Sequence, residues 1–197
     1  MDYTVIGSVN TRAARVVWML EELGLPYDHI PAQPRSAEVM AVNPSGKVPV
    51  LLAGGEALCD STAILTFLAD HHGALTFAAG TLERARQDAV TFMVLDDLEG
   101  LLWTASRHSF VLPEDQRLPA IKTSLKWEFA RNLGHVAGRF TGPFVMGEAM
   151  TIADIVLSHC LGWAQSARFP EAEPVLAAYH ARMTARPAWA AMRARAV

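Results

Sequence analysis

Apolar and polar positions in the first third of the chain follow two different periods in turn. Tyr3 to Ile6 is a short run rich in β-branched and aromatic residues and reads as a strand. From Ala13 to Leu23 the residues Val16, Val17, Leu20 and Leu23 recur at helical spacing, and Gly24 followed by Pro26 predicts the stop. Tyr27 to Ile30 predicts a second strand, close enough behind that helix for a βαβ unit. The proline-broken stretch Pro31 to Pro34 leads to a short helix over Ser36 to Ala41 and a turn at Asn43-Pro44-Ser45-Gly46. Val48 to Leu52 reads as a strand, Gly54-Gly55 as a hairpin turn and Glu56 to Cys59 as the returning strand. A helix starting at Asp60 or Ser61 runs through Ile64, Leu65 and Leu68 toward His71 and closes before Gly73. The expected order is β-α-β-α-β-β-α.

Beyond Thr81 the strand pattern is gone. Helical periodicity covers Leu82 to Arg107, Arg117 to Phe140, Ile152 to Ala167 and Glu173 to Ala185, and a last helix opens at Pro187, a residue suited to a first helical turn. Thr76 to Gly80 is the expected linker. The chain is thus read as an α/β domain over residues 1–76 and an all-α domain over residues 82–197. One helix start is specified in detail: Thr151 and Asp154 form a capping box with Asp in place of Glu, and Met150 and Ile155 are placed as a hydrophobic staple. Trp18, Trp103, Trp127, Trp163 and Trp189 all fall in helical patterns and read mainly as packing residues.

Composition narrows the function classes. With 197 residues, 51% of them hydrophobic and 19% charged, the chain is long and apolar enough to bury a proper core. A formal charge of -3 and the lack of a basic run interleaved with aromatics argue against a nucleic-acid partner. The N-terminus enters a strand directly, without a secretory pattern, and no apolar run approaches the roughly 18 residues of a membrane span. Cys59 and Cys160 are expected to stay reduced, Cys59 as a strand residue of the core, which points to the cytoplasm. There is no Cys-x-x-Cys, His-Glu-x-x-His, Gly-x-Ser-x-Gly, P-loop or Gly-x-Gly-x-x-Gly pattern. The seven histidines show no ligand spacing, and adjacent His71 and His72 read as a helix-end cap, so no metal is expected.

Three segments of the first domain suit one ligand. The loop Gly7 to Arg12 enters a helix, where N–H groups and a hydroxyl favour an anion such as a thiolate. In Lys47-Val48-Pro49, a proline opening a strand after a turn fits a cis peptide and leaves the Val48 N–H and C=O for an extended peptide. At Asp60-Ser61 the Ser hydroxyl and N–H suit a carboxylate, with Asp60 facing an ammonium. A molecule with a thiol, a peptide backbone and an amino-acid end meets all three, and glutathione is that molecule.

At these residues the chain resembles a cytosolic-type (soluble) glutathione transferase over essentially its whole length. The resemblance rests on Arg15 to Tyr27 (RVVWMLEELGLPY), Asn43 to Leu52 (NPSGKVPVLL), Asp60 to Ile64 (DSTAI) and Thr151 to Asp154 (TIAD), in the family's order. It implies a thioredoxin-like N-terminal domain that binds glutathione as co-substrate, with no metal, and an all-α domain that supplies the electrophile site and a homodimer interface. It further implies that Val48 pairs with the cysteinyl backbone beside a cis Pro49, that Asp60 and Ser61 hold the γ-glutamyl end, that Arg35 meets the glycine carboxylate, and that Lys47 sits where another polar contact to the tripeptide is common. Trp103, Arg107 and His108 fall where the family commonly lines its electrophile pocket.

The activating position is where the sequence departs from the family. Counting back four from Arg15, as in the serine-type classes, gives Thr11, whose hydroxyl can donate the same hydrogen bond. Ser8 and Asn10 stand beside it in the loop as alternatives. The expected activity is transfer of the glutathione thiolate to a small, apolar electrophile in detoxification. The alternatives are a non-catalytic glutathione-binding or regulatory module, and a glutathione-dependent peroxidase, dehalogenase or lyase using the same pocket. Read on their own, Thr11, Ser8 and Asp60 are also ordinary cap residues, Lys47 and Arg35 ordinary surface cations, and Arg15 an internal anchor.

Overall fold

The computed structural model describes residues 1–196. Its first elements are β1 (Tyr3–Ile6), α1 (Ala13–Leu23), β2 (Asp28–Ile30), α2 (Ala37–Val42), β3 (Val50–Ala53), β4 (Glu56–Cys59) and α3 (Ser61–His72). The helices that follow are α4 (Leu82–Val94), α5 (Gly100–Ser106), α6 (Ile121–Ala137), α7 (Ile152–Ser166), α8 (Pro174–Thr184) and α9 (Pro187–Arg193). The first seven elements come in the order expected from the hydrophobic pattern.

They build a thioredoxin-like α/β layer. The four strands lie in the order β2-β1-β3-β4, with β1 parallel to β2 and antiparallel to β3, and β3 antiparallel to β4. The helical crossover makes the first pair parallel, and the tight turn at Gly54-Gly55 makes the last pair a hairpin. Period-two alternation gives the sheet two apolar faces. Ile6 and Val50 pack with Val39 of α2 in a cluster that includes Val48. Val5 and Leu51, on the opposite face, are fully buried, as are Val16, Val17 and Leu20 of α1 and Ile64, Leu65 and Leu68 of α3. Gly24 and Gly73 end α1 and α3 at φ 63° and 61°, a conformation glycine adopts without steric penalty.

By compactness the chain divides into Met1–Ala79 together with the chain from Met183 onward, and Gly80–Arg182. The expected helical domain ran to residue 197, yet its last stretch packs on the first domain. The reason lies on α1. Trp18 meets Trp189 of α9 edge to face at 4.9 Å, and the Arg186 guanidinium grips both oxygens of Glu22 at 2.6 and 2.7 Å. Arg195 bonds Glu21 at 3.3 Å and lies 4.4 Å over the Tyr27 ring, whose hydroxyl donates to Glu21.

The other unit is helical, and its long first helix is not continuous as the periodicity suggested. A π turn at Leu95–Glu99 separates α4 from α5, and a second follows at Arg107–Val111. Such a turn releases main-chain carbonyls, and the buried Asn132 on α6 donates its Nδ2–H to the Asp97 carbonyl at 2.8 Å. The capping box at the start of α7 is present. Asp154, fully buried, accepts the Thr151 N–H at 2.8 Å, the Val145 N–H at 2.9 Å and the Tyr179 O–H at 3.0 Å. No helix among the described residues is long and apolar enough to cross a membrane.

Candidate active site

The loop after β1 is set by Gly7. Its φ of 141° lies where side-chain-bearing residues are rare, and a Cβ there would lie 2.9 Å from Ala13 Cβ and 3.0 Å from Val48 Cβ. The start of α1 and Val48 therefore meet across a glycine. The Gly7 and Ser8 N–H groups donate to the Ile30 and Ala32 carbonyls, both at 2.9 Å, and tie the loop to β2 and its continuation.

Within this loop the three candidate activators stand differently. Ser8 is buried, and its hydroxyl accepts the Asn10 N–H at 3.3 Å. Asn10 is exposed. The half-buried Thr11 donates its hydroxyl proton to the Ser8 carbonyl at 2.7 Å and accepts the N–H of Ala13, the first residue of α1, at 3.2 Å. The hydroxyl thus sits at the first turn of the helix, among donors that favour negative charge.

The Val48–Pro49 peptide is cis, as the sequence pattern suggested. Among the described residues no hydrogen bond engages the Val48 N–H or C=O. The turn in front of it is closed by Asn43, which is nearly buried. Asn43 donates to the Lys47 carbonyl at 2.9 Å and accepts from the Ser45 N–H and hydroxyl at 3.1 and 2.9 Å. Arg35 joins this corner through its N–H to the Gly46 carbonyl at 2.8 Å; both Arg35 and Lys47 are exposed. Gly46, at φ 67°, admits that approach, because a Cβ there would lie 2.8 Å from Arg35 Cγ.

The third segment follows from the hairpin. Val50 pairs with Cys59, so the residues just outside the pair, Pro49 and Asp60, stand at one end of the sheet. Asp60, at φ 71°, caps α3 through Oδ1, which accepts the Thr62 and Ala63 N–H groups at 2.9 and 3.1 Å. The Ser61 N–H has no acceptor among the described residues. Beneath it, the fully buried Arg15 donates to Ser61 Oγ at 3.2 Å and links α1 to α3. Arg15 is therefore the internal anchor its position suggested.

The structure brings Thr11, Val48, Pro49, Asp60 and Ser61 to one end of the sheet, with Arg35 and Lys47 at the adjoining corner. Cys59, expected in the core, is exposed and unpaired with Cys160. It belongs to edge strand β4, whose outer face is open; partial burial and the neighbouring Asp60 push its thiol up. In the helical unit, Arg107 donates to Thr104 Oγ1 at 3.0 Å and His108 Nδ1 accepts the Leu118 N–H at 3.1 Å. Asn43 reads in the sequence as a turn former only, and no local pattern marks His29. His29 contacts the Gly7 carbonyl through Nε2 at 2.8 Å, and only the strand pairing of β1 with β2 could have pointed to it.

Residues 11–71 match the family model for the glutathione S-transferase N-terminal domain. A glutathione transferase from Methylococcus capsulatus str. Bath superimposes with a TM-score of 0.82 over 98% of both chains at 27% identity. Glutathione S-transferase 4 of Zea mays is 25% identical over 92% of this chain and 86% of its own. Residues 11–71 thus match the N-terminal domain of the glutathione S-transferases, and the whole chain is similar to them in sequence and fold. It is an enzyme by that kinship, and the four segments quoted from the sequence all fall within the shared fold. The theta class glutathione S-transferase from Xanthomonas axonopodis pv. citri, solved with glutathione bound, is 25% identical over 95% of this chain and 94% of its own, with a TM-score of 0.76.

Proposed function

We propose that this transferase binds glutathione along Val48 and adds its thiolate to an electrophilic carbon of a small, apolar molecule. The observation that carries the reading is the convergence at Gly7 and at the Arg15–Ser61 bond of three segments, each fit for a different part of the tripeptide. The cysteinyl backbone pairs with the free Val48 N–H and C=O, the γ-glutamyl carboxylate takes the Ser61 N–H, and the ammonium faces Asp60. Arg35 and Lys47 neutralise the glycine carboxylate. The family likeness adds a homodimer, a cytoplasmic setting and a role in detoxification to this reading.

Thr11 activates the sulfur. A free thiol titrates near ~8.5, so a shift of about 2 units needs about 2.7 kcal/mol of preference for the thiolate. One hydrogen bond to a charged group contributes roughly 1.5–3 kcal/mol, and the helix N-terminus adds about 0.3–1 kcal/mol. Rotation about the Thr11 Cβ–Oγ1 bond turns the O–H from the Ser8 carbonyl toward the sulfur, so that the hydroxyl keeps its proton and donates a hydrogen bond to the thiolate.

Thr11→Ala is expected to raise the pKa of bound glutathione by about 1–2 units and to cut turnover about 10- to 100-fold. Affinity for the tripeptide should change less than about twofold, because its peptide contacts remain. Thiolate absorbance against pH and conjugation of a chloro-dinitro aromatic measure the two effects. If Ser8→Ala has these effects and Thr11→Ala does not, the activator is Ser8. A second reading, a glutathione-binding protein without turnover, is favoured by the existing bond from Thr11 to the Ser8 carbonyl. Binding without conjugation in the wild-type protein would select it.

A further inference from the structure

We infer that His29 is a positioning residue for the thiol-activating loop, acting through the Gly7–Ser8 peptide. His29 lies on β2, opposite Val5 of β1, and its Nε2 is 2.8 Å from the Gly7 carbonyl oxygen. A carbonyl can only accept, so Nε2 carries the proton. No other hydrogen bond among the described residues reaches that carbonyl.

The Gly7 C=O and the Ser8 N–H belong to one planar peptide. His29 holds one edge of that plane, and the Ala32 carbonyl holds the other through the Ser8 N–H at 2.9 Å. Both restraints come from β2 and the residues directly after it, so the plane cannot turn without breaking one of them. A glycine at φ 141° has the backbone freedom to turn, which makes an external restraint necessary here.

What the plane controls is the next carbonyl. The Ser8 C=O receives the Thr11 N–H at 3.0 Å and the Thr11 hydroxyl at 2.7 Å, so its direction sets where that hydroxyl stands. The same peptide begins at the glycine on which Val48 and Ala13 close. His29 thus fixes the height and direction of the sulfur's hydrogen-bond donor relative to the strand that carries the tripeptide, while touching neither ligand nor reacting atom. This inference rests on the reading of Thr11 as activator.

The test compares His29→Phe, which keeps a ring but has no donor, with His29→Gln, which keeps an N–H at similar reach. His29→Phe is expected to lower kcat about tenfold and raise the pKa of bound glutathione, with KM for glutathione changed less than about twofold. His29→Gln should stay within about threefold of wild type on each readout. Amide hydrogen exchange without ligand gives an independent measure: Ser8 and Thr11 should exchange about tenfold faster in His29→Phe and not in His29→Gln. Equal impairment of both variants, or wild-type behaviour of His29→Phe, overturns the inference. Should His29→Phe fail to fold, His29→Leu carries the same comparison. If wild-type protein binds no glutathione, the proposed function falls, and the exchange rates alone decide whether His29 holds the loop.

Discussion

Gly7→Ala is expected to weaken glutathione binding by more than about tenfold and to destabilise the protein by about 2–6 kcal/mol. The two parts of the effect have separate causes. A φ of 141° costs a side-chain-bearing residue about 1–3 kcal/mol in backbone strain. The added methyl would meet Ala13 Cβ at 2.9 Å and Val48 Cβ at 3.0 Å, and relieving such overpacking costs about another 1–3 kcal/mol. The direction of that relief matters for function. Neither neighbour is the far end of a flexible side chain, so the start of α1 and the Val48 segment must separate. These are the two segments proposed to hold sulfur and cysteinyl backbone. Urea unfolding reads the stability change and calorimetry the affinity. Unchanged affinity in the folded variant would mean that closure of Val48 on the loop does not build the site.

Asp154→Ala should be the most damaging single change in the helical unit. It removes the acceptor for the Val145 N–H, the Thr151 N–H and the Tyr179 O–H, all within a core where Asp154 is fully buried. The Tyr179 O–H keeps the Asp154 main-chain carbonyl at 3.2 Å as an acceptor, so two backbone N–H groups are orphaned at about 1–3 kcal/mol each, an expected loss of about 4 kcal/mol. In a protein of this size that lowers the thermal midpoint by about 8–16 °C. Burial, outweighing those hydrogen bonds, holds the Asp154 carboxyl above its ordinary 3.8. The folded chain therefore binds this proton more tightly than the unfolded one. The group's contribution to stability is fully present below 3.8 and falls as pH rises through the folded value. Asp154→Asn, which cannot titrate, should lie furthest below wild type in acid and approach it toward neutral pH. A constant gap across that range would contradict the assignment.

How much of this was legible in the chain differs by kind of interaction. Period, turn residues and caps are local, and they gave the β-α-β-α-β-β-α order, the capping box and the proline that opens β3. Val48, Asp60 and Ser61 could be singled out because a turn or a helix start marks them in sequence. Contacts between distant segments carry no such mark. The docking of Trp189 and Arg186 on α1 joins residues more than 160 positions apart, so the domain boundary fell differently from expectation. Cys59 has the sequence of a core strand, but only pairing order reveals that β4 is the sheet's edge. The π turns leave the apolar spacing of the long helix almost intact, which hid them. His29 was invisible for the same reason: its role depends on which strand lies beside β1.

The most direct test of the account is a calorimetric titration of the wild-type protein with reduced glutathione. It should show saturable association at one site per chain, with Kd of about 1 mM or tighter, and a proton release that is largest midway between the free and the lowered bound thiol pKa and fades on either side. Absence of any heat of association at millimolar glutathione would contradict the claim that this end of the sheet is a tripeptide site.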